Sequence, residues 1–150
     1  MQTLVSIIYL LVLLLLQNYL PFKVDLLLIF IVLVSLRKNQ PETLLYSFGG
    51  GFLLDALGGV GYLSTLTKTI SGALANLLGE LMTLEDYFMS LVLVLILTPA
   101  AFVINAYALN LFYGQAVSFW PAAVELGKLL LINLIFTPLL YWLFDKSFRT

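Results

Sequence analysis

The sequence contains no cysteine and no histidine. Without cysteine there is no thiol nucleophile and no disulfide, and the two ligand types of the common zinc sites are both missing. Without histidine there is no imidazole for acid–base chemistry near neutral pH. The remaining residues form no recognisable nucleophile–base pair, phosphate-binding loop or metal-ligand cluster. We therefore expect a protein that is not an enzyme and that binds no metal and no cofactor.

Charge is also scarce. Charged residues make up 10 % of the chain and apolar residues 62 %, whereas an ordinary soluble domain carries about 25 % charged residues. So few charges cannot cover a surface that faces water, and the composition therefore indicates a protein dissolved in lipid. The net charge is −1, and no basic run suggests nucleic acid as a partner.

The apolar residues fall into five runs, of which the first, from residue 4 to residue 36, is too long for one crossing. A spanning helix takes roughly 20 residues, and Pro21, Lys23 and Asp25 divide this run in two. The sequence predicts an all-α, polytopic membrane protein with a single transmembrane domain over residues 1–150 and about six helices. The predicted helices cover residues 3–19, 22–36, 41–57, 64–81, 84–112 and 121–144.

The basic residues predict the orientation, because cytoplasmic turns carry an excess of lysine and arginine. The first segment lacks the basic start and cleavage site of a signal peptide, so we expect a retained helix with a cytoplasmic N-terminus. Six crossings then place the C-terminus in the cytoplasm as well. Four basic residues are expected on that side: Arg37, Lys38, Lys146 and Arg149. Three are expected at the outer side: Lys23, Lys68 and Lys128.

Asp55 is the most informative single residue, since it lies near the end of an apolar helix. A carboxylate at mid-membrane costs about 2.5–3.5 kcal/mol on insertion scales. One interpretation is a site for a proton, an ion or a ligand. The other is structural: a carboxylate near the outer interface that bonds a helix N-terminus, a threonine hydroxyl or Lys68.

Small residues are concentrated between positions 49 and 79. Those of the third helix and the turn after it are Gly49, Gly51, Gly58, Gly59 and Gly61, and those of the fourth helix recur every four residues at Ser71, Ala75 and Gly79. Such spacing lets helix backbones approach closely in lipid, where apolar burial drives little association. Two interpretations stay open: packing of the third helix on the fourth, or a face that docks a partner's helix.

Other polar residues have local explanations. Glu125 and Lys128 are spaced to pair on one helix face. Buried amides that bond across helices are expected at Asn76, Asn105 and Asn110. An acidic cytoplasmic turn is formed by Glu80, Glu85 and Asp86. This turn is either a solvated loop or a contact for a basic partner.

The segment from residue 41 to residue 72 resembles the signature region of the rod shape-determining protein MreD family. The residues that carry the resemblance are Gly49, Gly51-Phe52, Asp55, Gly58-Gly59 and Gly61, together with Asn133 and Pro138 near the end of the chain. The length and the number of predicted crossings are similar too. The family is in turn similar in fold to the substrate-binding subunits of energy-coupling-factor vitamin transporters.

The resemblance implies a non-enzymatic scaffold in the bacterial inner membrane, part of the cell-elongation machinery that maintains rod shape during peptidoglycan synthesis. The implied direct partner is MreC. Through it the family is associated with the actin-like MreB and with the peptidoglycan glycosyltransferase and transpeptidase of elongation, and membrane lipid surrounds the chain. The residues of this chain that match the motif are then expected to serve helix packing or partner docking.

The alternative is a substrate-binding membrane subunit of an energy-coupling-factor vitamin transporter. The predicted first helix carries no alanine-rich docking motif, and the short turns leave little chain for a lid over a vitamin. A third hypothesis, a proton- or ion-conducting protein, rests on Asp55 alone. A transport subunit should enclose a polar pocket open to the outside, and a scaffold should have a filled or lipid-like interior.

Overall fold

The computed structural model describes residues 2–21, 23–58 and 61–149, the side chains of Gln2, Phe148 and Arg149 excepted. This part of the chain forms six α-helices and no strand, which confirms the predicted all-α class. The helices are α1 (Gln2–Tyr19), α2 (Leu26–Ser35), α3 (Gln40–Gly58), α4 (Leu63–Leu81), α5 (Asp86–Tyr113) and α6 (Phe119–Arg149).

Two helices differ from their predicted bounds by more than two residues. α2 begins four residues later than predicted because Asp25 caps it, its carboxylate accepting a hydrogen bond from the amide of Leu28 at 3.1 Å. A capping aspartate satisfies an amide that has no partner within the helix. α6 begins at Phe119 and runs to Arg149, with Pro138 inside it. α2 is therefore about 15 Å long and α6 about 46 Å, at 1.5 Å per residue.

α2 is the centre of the fold and packs against all five other helices. No residue from Leu26 to Val34 is more than 3 % exposed. Its sequence explains this position, since a helix that is apolar on every side is buried on every side.

α5 and α6 pack against each other on the outside of the bundle. They are long and apolar enough to cross a membrane, over Asp86–Tyr113 and Phe119–Ser147, with mean hydropathies of 2.4 and 1.7. Large apolar side chains are exposed along both helices, for example Val103 on α5 and Ile135 on α6.

One end of the bundle gathers the α2–α3 turn, the α4–α5 turn and the last turns of α6. Arg37 of the α2–α3 turn pairs with Asp145 of α6, and its guanidinium lies 5.6 Å from the ring centre of Phe144. The Tyr9 hydroxyl of α1 lies 2.6 Å from the Ser147 hydroxyl of α6. We call this end of the molecule the Arg37 end.

Candidate functional site

The residues of the glycine–aspartate motif lie where α3 meets the start of α4. Gly51 is buried there, and a Cβ added to it would stand 2.6 Å from the Cα of Thr65 and 2.8 Å from the carbonyl oxygen of Ser64. Both neighbours are backbone atoms that cannot move aside without separating the helices. Glycine at position 51 therefore sets the distance between α3 and α4.

Asp55 lies one turn further along α3 and caps the start of α4. Its Oδ1 accepts a hydrogen bond from the amide of Ser64 at 2.9 Å, and its Oδ2 accepts from the amide and the hydroxyl of Thr65 at 2.8 and 2.7 Å. Amides in the first turn of a helix have no partner within it, and a negative charge there is favourable. These contacts are those of the structural interpretation, with a helix N-terminus and a threonine hydroxyl as the partners.

The other small residues of the third and fourth helices have three different environments. Gly72 of α4 faces Ser47 of α3, whose Cβ would lie 2.9 Å from a Cβ at position 72. Ser71 and Ala75 are buried inside the chain. Gly79 is half-buried with space beside it, and Gly49 faces open space. The buried members therefore pack α4 within this molecule and offer no surface to a partner.

The glycines of the turn also differ. Gly58 is the exposed last residue of α3, and Gly59 lies outside the described residues. Gly61 has a φ of +73°, and a Cβ there would meet the hydroxyl of Tyr113 at 2.6 Å. Glycine adopts this left-handed conformation without strain and leaves room for the tyrosine.

A buried ion pair between Lys68 and Asp25 is the main polar feature that the sequence did not predict. Lys68 is only 5 % exposed and pairs with the Asp25 carboxylate, so it lies inside the bundle and does not face outward as predicted. The side of the membrane on which it lies stays a prediction. Lys68 is buried because α2 is short. The chain before α2 folds into the bundle and places Asp25 next to Lys68 in the interior. Lys68 is therefore not a partner of Asp55.

Side chains from α1 and α6 complete this polar network around the start of α2. Asn133 accepts a hydrogen bond from the amide of Asp25 at 2.9 Å and donates one to the Thr98 hydroxyl at 3.1 Å. Gln17 accepts from the amide of Leu27 at 3.1 Å. Thr98 stands about 18 Å along α5 from its first residue, so the network lies at mid-height in the bundle.

A cavity of about 200 Å³ with a mixed polar and apolar lining adjoins the ion pair, and residues of α1, α3, α4, α5 and α6 contribute to it. Gln17, Asp25, Lys68 and Thr98 all line it. The buried hydroxyl of Thr67 lies in the same lining and has no hydrogen-bond partner in the described part of the chain. Pockets for drug-sized ligands measure about 300–1,000 Å³, so the cavity suits water or a very small polar solute.

Two further sequence predictions need correction. Glu125 pairs with Lys23 at 3.0 Å rather than with Lys128, because the α1–α2 connection lies beside the first turns of α6. The charges of this pair are exposed, the side chains by 82 % and 43 %. Of the three asparagines expected to be buried, Asn76 is buried, whereas Asn105 and Asn110 are exposed.

The network could have been recognised in part from the sequence. Asp25 stands directly before an apolar run, where an N-cap residue is typical, and Asn133 and Thr98 are polar residues inside apolar helices. Nothing local indicates that these residues meet.

The network consists of hydrogen bonds and an ion pair, and its role is structural. In residues 2–21, 23–58 and 61–149, no three acidic side chains are grouped so that they could hold a metal ion.

Comparisons of the chain with models of known protein families, with curated proteins and with solved structures found no match. Assignment of the function therefore depends on the resemblance in the motif region and on the geometry of the residues that carry it.

Proposed function

We propose that this chain is a non-enzymatic scaffold of the bacterial cell-elongation complex, of the MreD type. It lies in the inner membrane, crosses it six times and keeps both termini in the cytoplasm. It binds MreC directly, and through MreC it joins MreB and the peptidoglycan glycosyltransferase and transpeptidase of elongation. In this role the chain presents a rigid helical surface and carries out no chemistry.

The proposal depends mainly on the contacts that the motif residues make within the chain. Gly51 and Asp55 lie at one junction, where the glycine sets the helix spacing and the carboxylate makes three hydrogen bonds to α4. A site for a proton or a ligand would leave the carboxylate partly unsatisfied. Its three hydrogen bonds within the chain support an architectural motif, as a scaffold requires.

The helix lengths are compatible with six crossings. α1, α3 and α4 contain 18, 19 and 19 residues, which gives each about 27–29 Å against a hydrocarbon core of about 30 Å. α2 covers only half of that thickness, and the non-helical residues 23–25 before it lie within the same crossing. Irregular backbone is tolerated at membrane depth when protein surrounds it, and Val24 and the start of α2 are buried.

Affinity purification of the tagged full chain in mild detergent, with mass spectrometry of the co-purifying proteins, tests the scaffold. We expect MreC and the elongation synthase components with the natural chain and with Gly49→Leu, since position 49 faces open space. Gly51→Leu should lose them. A natural chain that folds but recovers no MreC would refute the proposal.

Reporter fusions test the proposed topology independently. A phosphatase that is active only in the periplasm should be inactive when fused after residue 150. It should be active when inserted into the turn between α5 and α6, at residues 114–118. Activity of the C-terminal fusion would mean either an odd number of crossings or an inverted chain, and it would overturn the proposed topology.

The second candidate is the vitamin-binding subunit of an energy-coupling-factor transporter. The cavity beside Asp25 and Lys68 favours it, since polar groups line part of this cavity and such a subunit needs a polar pocket. The volume of about 200 Å³ disfavours it, because a vitamin is drug-sized and needs at least about 300 Å³. Co-purification of an energy-coupling ATPase and its transmembrane partner, with a vitamin in the extract, would select this candidate over the scaffold.

A further inference from the structure

A polar cleft opens at the Arg37 end, between the α2–α3 turn and the α4–α5 turn. It has a volume of about 340 Å³. Its polar lining includes Lys38, Asn39, Asn76, Glu80 and Asp86. Gly79 of the fourth helix also lines it, whereas Gly51, Asp55 and the Asp25–Lys68 pair do not, so the cleft is separate from the glycine–aspartate junction and from the polar network.

The cleft carries uncompensated negative charge. Lys38 contributes a positive charge, but its ammonium is already paired with Glu42 at 3.1 Å. Glu80 and Asp86 are exposed, and neither forms an ion pair within the described ranges. Because the one cation of the lining is already neutralised, two carboxylates remain for a ligand with positive charge.

The side-chain oxygen of Asn76 is a second and independent sign of a missing donor. Asn76 is 6 % exposed and lines the cleft, and its Oδ1 accepts no hydrogen bond from the described residues. A buried acceptor without a donor costs about 1–3 kcal/mol. A ligand that brings N–H groups would satisfy the carboxylates and would place donors beside this residue.

We propose that the cleft binds the guanidinium or ammonium group of a basic residue that flanks a membrane-spanning helix of a partner protein. The apolar side chains of Met82, Leu84 and Met89 also line the cleft and can cover the aliphatic stem of an arginine or lysine. The Arg37 end is the expected cytoplasmic end, and cytoplasmic flanks of spanning helices are rich in these residues. The site goes beyond the scaffold proposal and holds for any such partner.

A co-reconstitution experiment tests the cleft. The full chain is placed in phosphatidylcholine nanodiscs with a synthetic leucine–alanine spanning helix, flanked at one end by arginine or, in a second peptide, by glutamine. Association is measured by fluorescence energy transfer. The natural chain should bind the arginine-flanked helix more tightly, and Glu80→Gln/Asp86→Asn should weaken that binding roughly fivefold to tenfold.

Glu85→Gln is the matched control, since Glu85 lies in the same turn but not in the lining. It should bind as the natural chain does. Circular dichroism checks the fold of the double variant, because Asp86 lies in the first turn of α5. If that variant fails to fold, Glu80→Gln alone should weaken binding roughly twofold to threefold.

Three results would overturn the proposal. One is equal binding of the two peptides. Another is that Glu85→Gln weakens binding as much as the double variant does, which would indicate general electrostatic attraction to the acidic turn rather than a site. The last concerns lipid. If phosphatidylethanolamine in place of phosphatidylcholine abolishes the preference of the natural chain for arginine, a lipid ammonium occupies the cleft instead of a protein side chain.

Discussion

α2 and α6 are both strongly apolar, yet the structure uses them in opposite ways. α2 is buried on every side, and no residue from Leu26 to Val34 is more than 3 % exposed. In α6 only 17 % of the most apolar window is buried. Apolar side chains of this chain therefore line both the interior and the outer surface.

Polar contacts make the difference between the two helices. α2 is held at its first turn by Asp25 and by side chains from α1, α4 and α6. α6 contributes one narrow stripe to the interior, which runs through Asn133, Thr137, Leu140 and Phe144. This spacing is that of a single helix face. The comparison predicts that substitutions at the start of α2 lower the free energy of unfolding far more than substitutions on the outside of α6.

The largest effect is expected when the buried ion pair loses one partner. Asp25→Ala leaves the Lys68 ammonium buried and unpaired, which should lower the free energy of unfolding in detergent micelles by about 3–5 kcal/mol. Glu125→Ala breaks the exposed pair with Lys23 and should leave the unfolding midpoint unchanged. A double variant, Asp25→Ala/Lys68→Met, should recover most of the loss. Equal behaviour of Asp25→Ala and Glu125→Ala would contradict the comparison.

Gly51→Leu should have the next largest effect. The added side chain would overlap the backbone of α4, and such overpacking costs about 3 kcal/mol. Gly49→Leu lies on the same helix, faces open space and serves as the control. Thermal unfolding of both variants in the same detergent measures the difference. A Gly51→Leu variant as stable as Gly49→Leu would mean that α3 and α4 do not pack through this position.

Phe30→Ala should cost about 2 kcal/mol, less than in a water-soluble core. Phe30 packs edge-on against Tyr46 and Phe144, with ring centres 6.0 and 5.9 Å away. In lipid the transfer term is small, so the loss comes mainly from the cavity of about 100 Å³, at about 24 cal/mol per Å³. The exposed Phe119 of α6 is the control, and Phe119→Ala should not change stability measurably in the same micelles. Equal losses at the two positions would contradict the burial difference between α2 and α6.

Asp55→Asn should have the smallest effect, about 1 kcal/mol. The amide keeps one acceptor for the start of α4 but loses the charge that strengthens these hydrogen bonds. In a strain depleted of the protein, this variant should restore cell shape better than Gly51→Leu does. The reverse ranking would count against the scaffold and favour a titrating role for Asp55.

Much of the fold could be predicted because it depends on local rules. The polar breaks and the length of the apolar runs located six helices. Asn39, which directly precedes α3, is an example of the local capping that separates such runs. Its Oδ1 accepts a hydrogen bond from the amide of Glu42 at 3.1 Å. The structural interpretation of Asp55 also needed only its position near a glycine-rich turn, since the partners of the carboxylate lie nine and ten residues away.

The rest could not be predicted because it depends on contacts between distant residues. Lys68 lies 43 residues from Asp25, and Asn133 lies 108 residues from it. Position along a helix suggested that Lys68 reaches water, whereas the tertiary structure gives it an internal carboxylate. The pairing of Lys23 with Glu125, 102 residues away, was unpredictable for the same reason.

The sequence by itself therefore determined that the described chain is helical, how many helices it has and where nearly all of them end, because capping, proline and apolar length act over a few residues. Only the tertiary structure decided which charges are buried, because Asp25, Lys68 and Asn133 are distant in the sequence and meet only when the helices pack together. α2 is the most apolar of the six helices and lies at the centre, where its first turn brings Asp25 within reach of both partners.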